Sequence, residues 1–197
     1  KLNLPPPERT IIHGINDLSK YPLGTHERWI LKSPYLMAKK GNLSFASSLE
    51  KKKLIQKWIE QQFCREFILE PFFPIELEFG SIFQGAKLMS TSILNENQLG
   101  QISGSLVFAD EQGLADFLSS SHGIGVLEKW SELKSMIAKT TQVVNDEYFQ
   151  GWYGIDSMIY KNMDGSLGLY PLIEFNFRKT VDYIVYRLKR FLQQDGV

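Results

Sequence analysis

Hydrophobic positions in this chain change period several times, and each change marks an element. Arg28 to Pro34 opens with a short apolar run that reads as a buried strand, and a loop from Tyr35 to Leu43 follows it. Leu49, Leu54, Ile55, Trp58 and Ile59 recur at helical spacing, so 48–62 is expected to be a helix, capped by Ser47 or Ser48. Glu66 to Phe73 returns to strand character. In 75–83 Ile75, Leu77, Phe79, Ser81 and Phe83 alternate against Glu76, Glu78, Gly80 and Ile82, the pattern of a half-buried antiparallel strand. Strands over 87–94 and 99–108 follow, the second interrupted by Gly104, where a bulge or a close approach to ligand is expected. Helices are expected over 112–120 and 126–145, the latter turning Leu127, Trp130, Leu133, Met136, Ile137 and Val144 inward. Strands over 152–161 and 167–175 come last, with Asn162-Met163-Asp164-Gly165 as a turn. After them Val181, Ile184, Val185, Leu188 and Leu192 keep a helical stripe.

Composition narrows the class of protein. The chain has 197 residues, 43% of them hydrophobic and 13% aromatic, which suits a globular domain or two small lobes. Its 22 basic and 22 acidic residues cancel, so nothing in the net charge draws it to nucleic acid or to an anionic membrane. No apolar run reaches the roughly 20 residues that span a bilayer, and no signal peptide is evident, so a cytoplasmic location is expected. Cys64 is the only cysteine, which excludes an internal disulfide. The three histidines, His13, His26 and His122, have no ligand spacing. Pro5-Pro6-Pro7 reads as a stiff linker.

The chemistry concentrates between Gly151 and Arg190. Alternation along the last strand points Glu174 and Asn176 to one face. A loop of Asp164-Gly165-Ser166, pairing Met163 with Leu167, sets Asp156 directly opposite Glu174, with Cβ atoms about 5 Å apart. Two carboxylates so close repel unless a cation lies between them or one is protonated. One or two carboxylates completed by waters and phosphates is how Mg²⁺ is held at nucleotide sites. The same residues also admit a structural reading, in which Asn176 caps the next helix, Glu174 pairs with Arg178 or a lysine, and Asp156 is solvated. A one-residue bulge at Pro171 would separate the two carboxylates.

Asp156 on one strand, Glu174-Phe175-Asn176 closing the next, a basic residue and then a helix resemble the end of an ATP-grasp domain. The resemblance covers about Arg28 to Leu192, with 151–180 its most specific part. It implies an α+β fold of two lobes, each an antiparallel sheet with helices, with ATP between them. It places the smaller lobe over 1–65 and the larger over 66–197. Asp156, Glu174 and Asn176 would bind the Mg²⁺ ions (two are implied), and Arg178 would contact phosphate or an acyl phosphate. Lys32 would hold the α- and β-phosphates. Lys40 and Gly41 would belong to a loop closing over the γ-phosphate, which here has one glycine where the family usually has two or three. Glu70 would lie at the adenine hinge, Glu78 within reach of the ribose, and Ser103-Gly104-Ser105 along the acceptor wall. The implied reaction is ATP-dependent activation of a carboxylate for attack by an amine or thiol, with an N-terminal domain or a partner chain helping to bind the acceptor. The alternative is an ATP-grasp-derived module that binds nucleotide or a protein without ligating anything.

Overall fold

The computed structural model describes residues 9–21, 23, 28–34, 41–46, 52–96, 102–147 and 151–194. The chain divides into two compact units that part between Phe73 and Pro74. The proline run, Lys39, Lys40 and the capping serines Ser47 and Ser48 lie outside the described residues.

The first unit is a four-stranded antiparallel sheet in the order β1-β4-β2-β3. Its strands are β1 (Thr10–Ile12), β2 (Arg28–Lys32), β3 (Asn42–Ala46) and β4 (Phe67–Pro71). β4 lies between β1 and β2, hydrogen-bonded to both. A boundary near residue 65 would therefore cut a central strand out of its sheet, and the division falls after β4. One face carries Ile12, Trp29, Leu31, Phe45, Phe67 and Leu69 into a core closed by Leu18, Leu23 and Ile55 of helix α1 (Lys52–Glu60). Trp58 joins that core and tilts against Phe67 at 5.5 Å. Leu54, assigned by its spacing to the apolar face, is instead exposed, because the helix rests on the sheet through Ile55, Trp58 and Ile59. Alternation leaves Ile30, Lys32, Ile68 and Glu70 on the opposite face.

The second unit is a five-stranded antiparallel sheet in the order β7-β6-β5-β8-β9. These strands are β5 (Ile75–Gln84), β6 (Lys87–Glu96), β7 (Ile102–Val107), β8 (Trp152–Lys161) and β9 (Leu167–Asn176). Helices α2 (Glu111–His122) and α3 (Ile124–Glu147) cover one face, where Leu77, Phe79, Phe83, Tyr153, Ile155 and Ile159 meet Leu118, Trp130, Leu133 and Ile137. Phe79 stacks on Trp130 at 4.6 Å. Asp110 caps α2 by accepting the Gly113 amide. The bulge expected near Gly104 is present, as a register shift where Asn95 and Glu96 of β6 meet β7.

β5 differs from its expected half-buried state: it is buried on both faces from Leu77 to Phe83. It is the central strand, and helix α4 (Val181–Gln194) lies on the face away from α2 and α3. Asp182 of α4 occupies the space above Gly80, whose absent Cβ would meet the carboxylate at 2.6 Å. A Cβ at position 80 would force the Asp182 carboxylate to shift.

Candidate active site

The face opposite the main core of the second unit is polar for a soluble sheet interior. Gly80 pairs with Asp156, Glu78 with Met158, and Asp156 in turn with Glu174, which aligns three carboxylates across β5, β8 and β9. Gly154 pairs with Asn176, so Asn176 stands beside Asp156 on that face. The Asn176 amide nitrogen donates to Asp156 Oδ2 at 3.1 Å, and its carbonyl oxygen accepts from Arg178 at 3.4 Å.

The Asp156–Glu174 pairing arises by two compensating displacements. The hairpin closes at Lys161 and Leu167 instead of Met163 and Leu167, around a loop in which Gly165 has φ 82°. Asn162 accepts from the Gly165 amide, and Asp164 accepts from the Ser166 amide and hydroxyl. An unbroken ladder from that closure would set Leu172 against Asp156. The ladder breaks between Asp156 and Met158, where the opposing strand runs from Tyr170 to Glu174 through two extra residues. Pro171 lies in that stretch and has no amide to donate. A displacement of two residues preserves the side-chain face, whereas a single-residue bulge would have turned Glu174 away.

Carboxylates crowd this face. Asp156, Glu174 and Asp182 form no ion pair with a cation among the described residues. Burial pushes the Asp156 carboxyl up to about 7, the charges of Glu174, Glu78 and Asp182 push it the same way, and the Asn176 hydrogen bond opposes them. Asp182 is itself buried and accepts from the hydroxyls of Ser92 at 2.6 Å and Ser105 at 3.3 Å. Among the described residues no three His, Cys, Asp or Glu side chains converge as a closed metal cage. The hard donors on this face are the two opposed carboxylates of Asp156 and Glu174; Asn176 turns its amide nitrogen to Asp156 and its oxygen to Arg178. That set, with its surplus negative charge, fits Mg²⁺.

The remaining expected site residues divide between the units. Lys32 ends β2 and forms an ion pair with Glu70, whose other oxygen accepts from Arg9 at 3.0 Å. Glu70 is only 4% exposed. Gly41 closes the β2–β3 loop, its carbonyl accepting the Ser33 amide at 2.7 Å. Glu78 is buried beside Asp156 on the carboxylate face. Arg178 is exposed after β9 and reaches Asn176. Ser105 turns its hydroxyl to Asp182, and no atom lies within 4 Å of a Cβ on Gly104. Two contributors went unread in the sequence. Arg9 lies in the polar lead-in, and Asp182 sits inside a stripe whose apolar members dominate the period; only the facing Gly80 could have signalled it.

No family model matches the chain. No curated protein matches it either. Solved structures do. Biotin carboxylase from Campylobacter jejuni superposes with a TM-score of 0.58 at 10% identity, over 95% of this chain and 40% of that one. N5-carboxyaminoimidazole synthetase from Staphylococcus aureus superposes with a TM-score of 0.55 at 15% identity, over 87% of this chain and 39% of that one. A RimK domain ATP-grasp protein from Sphaerobacter thermophilus gives 0.50 at 12% identity, over 94% and 59%. The chain has the ATP-grasp fold. It spans about two fifths to three fifths of the length of these structural neighbours.

Proposed function

We propose that this chain is the nucleotide-binding part of an ATP- and Mg²⁺-dependent ligase that activates a carboxylate as an acyl phosphate for attack by an amine or thiol. The observation that carries the reading is the Asp156–Glu174 pair, opposed on adjacent strands, flanked by Asn176 and forming no ion pair among the described residues. Structural neighbours solved with ADP or an ATP complex, N5-carboxyaminoimidazole synthetase and biotin carboxylase, support the nucleotide assignment.

In this reading Asp156, Glu174 and Asn176 hold two Mg²⁺ ions, with Glu78 adding negative charge behind them. When bound, the ions supply neutralisation of the phosphate charge and polarisation of the γ-phosphoryl group. Lys32, Lys40 and the Gly41 backbone take the phosphates. Glu70 acts at the nucleotide through Lys32, which its carboxylate orients. A substrate carboxylate oxygen attacks the γ-phosphorus and the bond to ADP breaks; the amine or thiol then attacks the acyl carbon and phosphate leaves. Arg178 offsets the charge that develops on the transferred group. No side-chain nucleophile is needed, and positioning with charge neutralisation supplies the acceleration.

Titration calorimetry with a non-hydrolysable ATP analogue tests the reading. Binding is expected to require Mg²⁺ and to weaken at least about tenfold in Glu174→Gln, which removes one of the two carboxylate ligands. Binding indifferent to both metal and Glu174 would sink it. Mg²⁺-dependent binding without turnover for any carboxylate would favour the non-ligating module.

A further inference from the structure

Helix α4 meets the sheet with its polar side. Asp182 and Tyr186 are buried against it, and Tyr183 and Tyr186 pack on Trp152. At 100° per residue, Val181, Ile184, Leu188, Phe191 and Leu192 fall within an arc of about 100° on the other side. They are 41–64% exposed, and Phe177, just ahead of the helix, is exposed too. The stripe legible in the sequence thus faces out of the unit.

Its electrostatic setting is one-sided. Residues 177–194 carry Arg178, Lys179, Arg187, Lys189 and Arg190 against a single acid, Asp182. That acid is turned into the sheet and tied to Ser92 and Ser105, so the charges left on α4 are basic: Arg187 is exposed, Lys189 is half-buried, and Arg190 donates to the Tyr186 hydroxyl. Arg187 borders the apolar arc on one side and Lys189 on the other. The zero net charge of the chain is a sum that conceals this concentration.

We propose that α4 docks on an anionic lipid surface, lying in the interface plane with Val181, Ile184, Leu188 and Phe191 inserted and the flanking Arg and Lys at headgroup level. A broad apolar arc bordered by basic residues on both sides is the pattern of an interfacial helix, and long basic side chains lay their stems along apolar surface while keeping the charge outside. No helix among the described residues is long and apolar enough to cross a membrane, so this is an association in the plane of the surface. The assignment is independent of the ligase reading.

Co-sedimentation of the full chain with vesicles tests it, using phosphatidylcholine alone and phosphatidylcholine mixed with phosphatidylserine. Binding to the anionic vesicles is expected to exceed binding to neutral ones about tenfold and to fall as salt rises. L188Q/F191Q should lose most of that binding and R187Q should lower it several-fold. The three substituted side chains are exposed, so thermal unfolding of the variants should match the parent. Equal binding to both vesicle types overturns the proposal, as does binding that neither variant changes. So does a concentration-dependent dimer that L188Q/F191Q abolishes in a chain that ignores vesicles, which would assign the stripe to a second copy.

Discussion

Glu70 is a buried carboxylate and Asp156 a half-buried one, one on the sheet of each unit, and the protein treats them in opposite ways. Glu70 is gripped from two sides by Lys32 and Arg9, so its charge is neutralised within its own unit. Asp156 has Glu174, Glu78 and Asp182 around it and one amide as a donor. Desolvating a charge is costly, and a paired charge recovers much of that cost where an unpaired one does not. The first arrangement is complete without a ligand. The second stores repulsion that a divalent cation would relieve, and a fold retains such repulsion most readily where binding needs it.

The contrast makes predictions that can be ordered by size. Removing the neutralised carboxylate should hurt most: Glu70→Gln takes away the charge that Lys32 and Arg9 share and is expected to cost about 2–3 kcal/mol in urea unfolding, below the full buried-pair value because Lys32 and Arg9 are partly solvated. An unchanged midpoint would show that the Lys32–Glu70–Arg9 cluster contributes nothing to stability. Gly80→Ala should follow at about 2 kcal/mol, because its Cβ would strike the Asp182 carboxylate. Gly104→Ala, with no atom within 4 Å of the new Cβ, serves as its control and should stay within about 0.5 kcal/mol.

Asp156→Asn should run the other way, leaving the metal-free protein as stable or about 1 kcal/mol more stable near neutral pH, because it deletes a repelled charge. The sign follows from linkage. The folded carboxyl is raised from 3.8 to about 7, so between these values the folded state holds a proton that the unfolded chain has released. Stability of the metal-free protein should therefore decline as pH rises from about 4 to 7, and Asp156→Asn should flatten that decline. A parent that gains stability across this range, with no difference in the variant, would remove the case for Asp156 as a strained acid. Mg²⁺ competes with the same proton, so its apparent affinity should rise over the same window.

Much of the architecture was legible in local pattern. The aromatic and branched residues of 152–161 and the turn signal at 162–165 predicted β8 and β9, and the helical period in 126–145 predicted α3 with Trp130, Leu133 and Ile137 inward. The facing of Asp156 and Glu174 was legible too, although the hairpin reaches it by a different closure and a break beside Pro171. The inference survived because side-chain facing has a period of two, so a two-residue error at the turn leaves every face unchanged. The burial of β5 on both faces was not legible, since alternation reports one buried face and the second cover comes from α4, a hundred residues further along the chain.

By itself, the sequence determined the kinds of element, their order and the face on which each carboxylate of the hairpin lies, because periodicity and turn chemistry act between neighbours. Tertiary structure alone decided which charges are satisfied. Only the assembled sheets bring Lys32 and Arg9 to Glu70, leave Asp156 among acids, and turn the apolar side of α4 outward by seating Asp182 over Gly80. Coulombic and packing energies depend on distances between strands and helices far apart in the chain, and no local period encodes those distances.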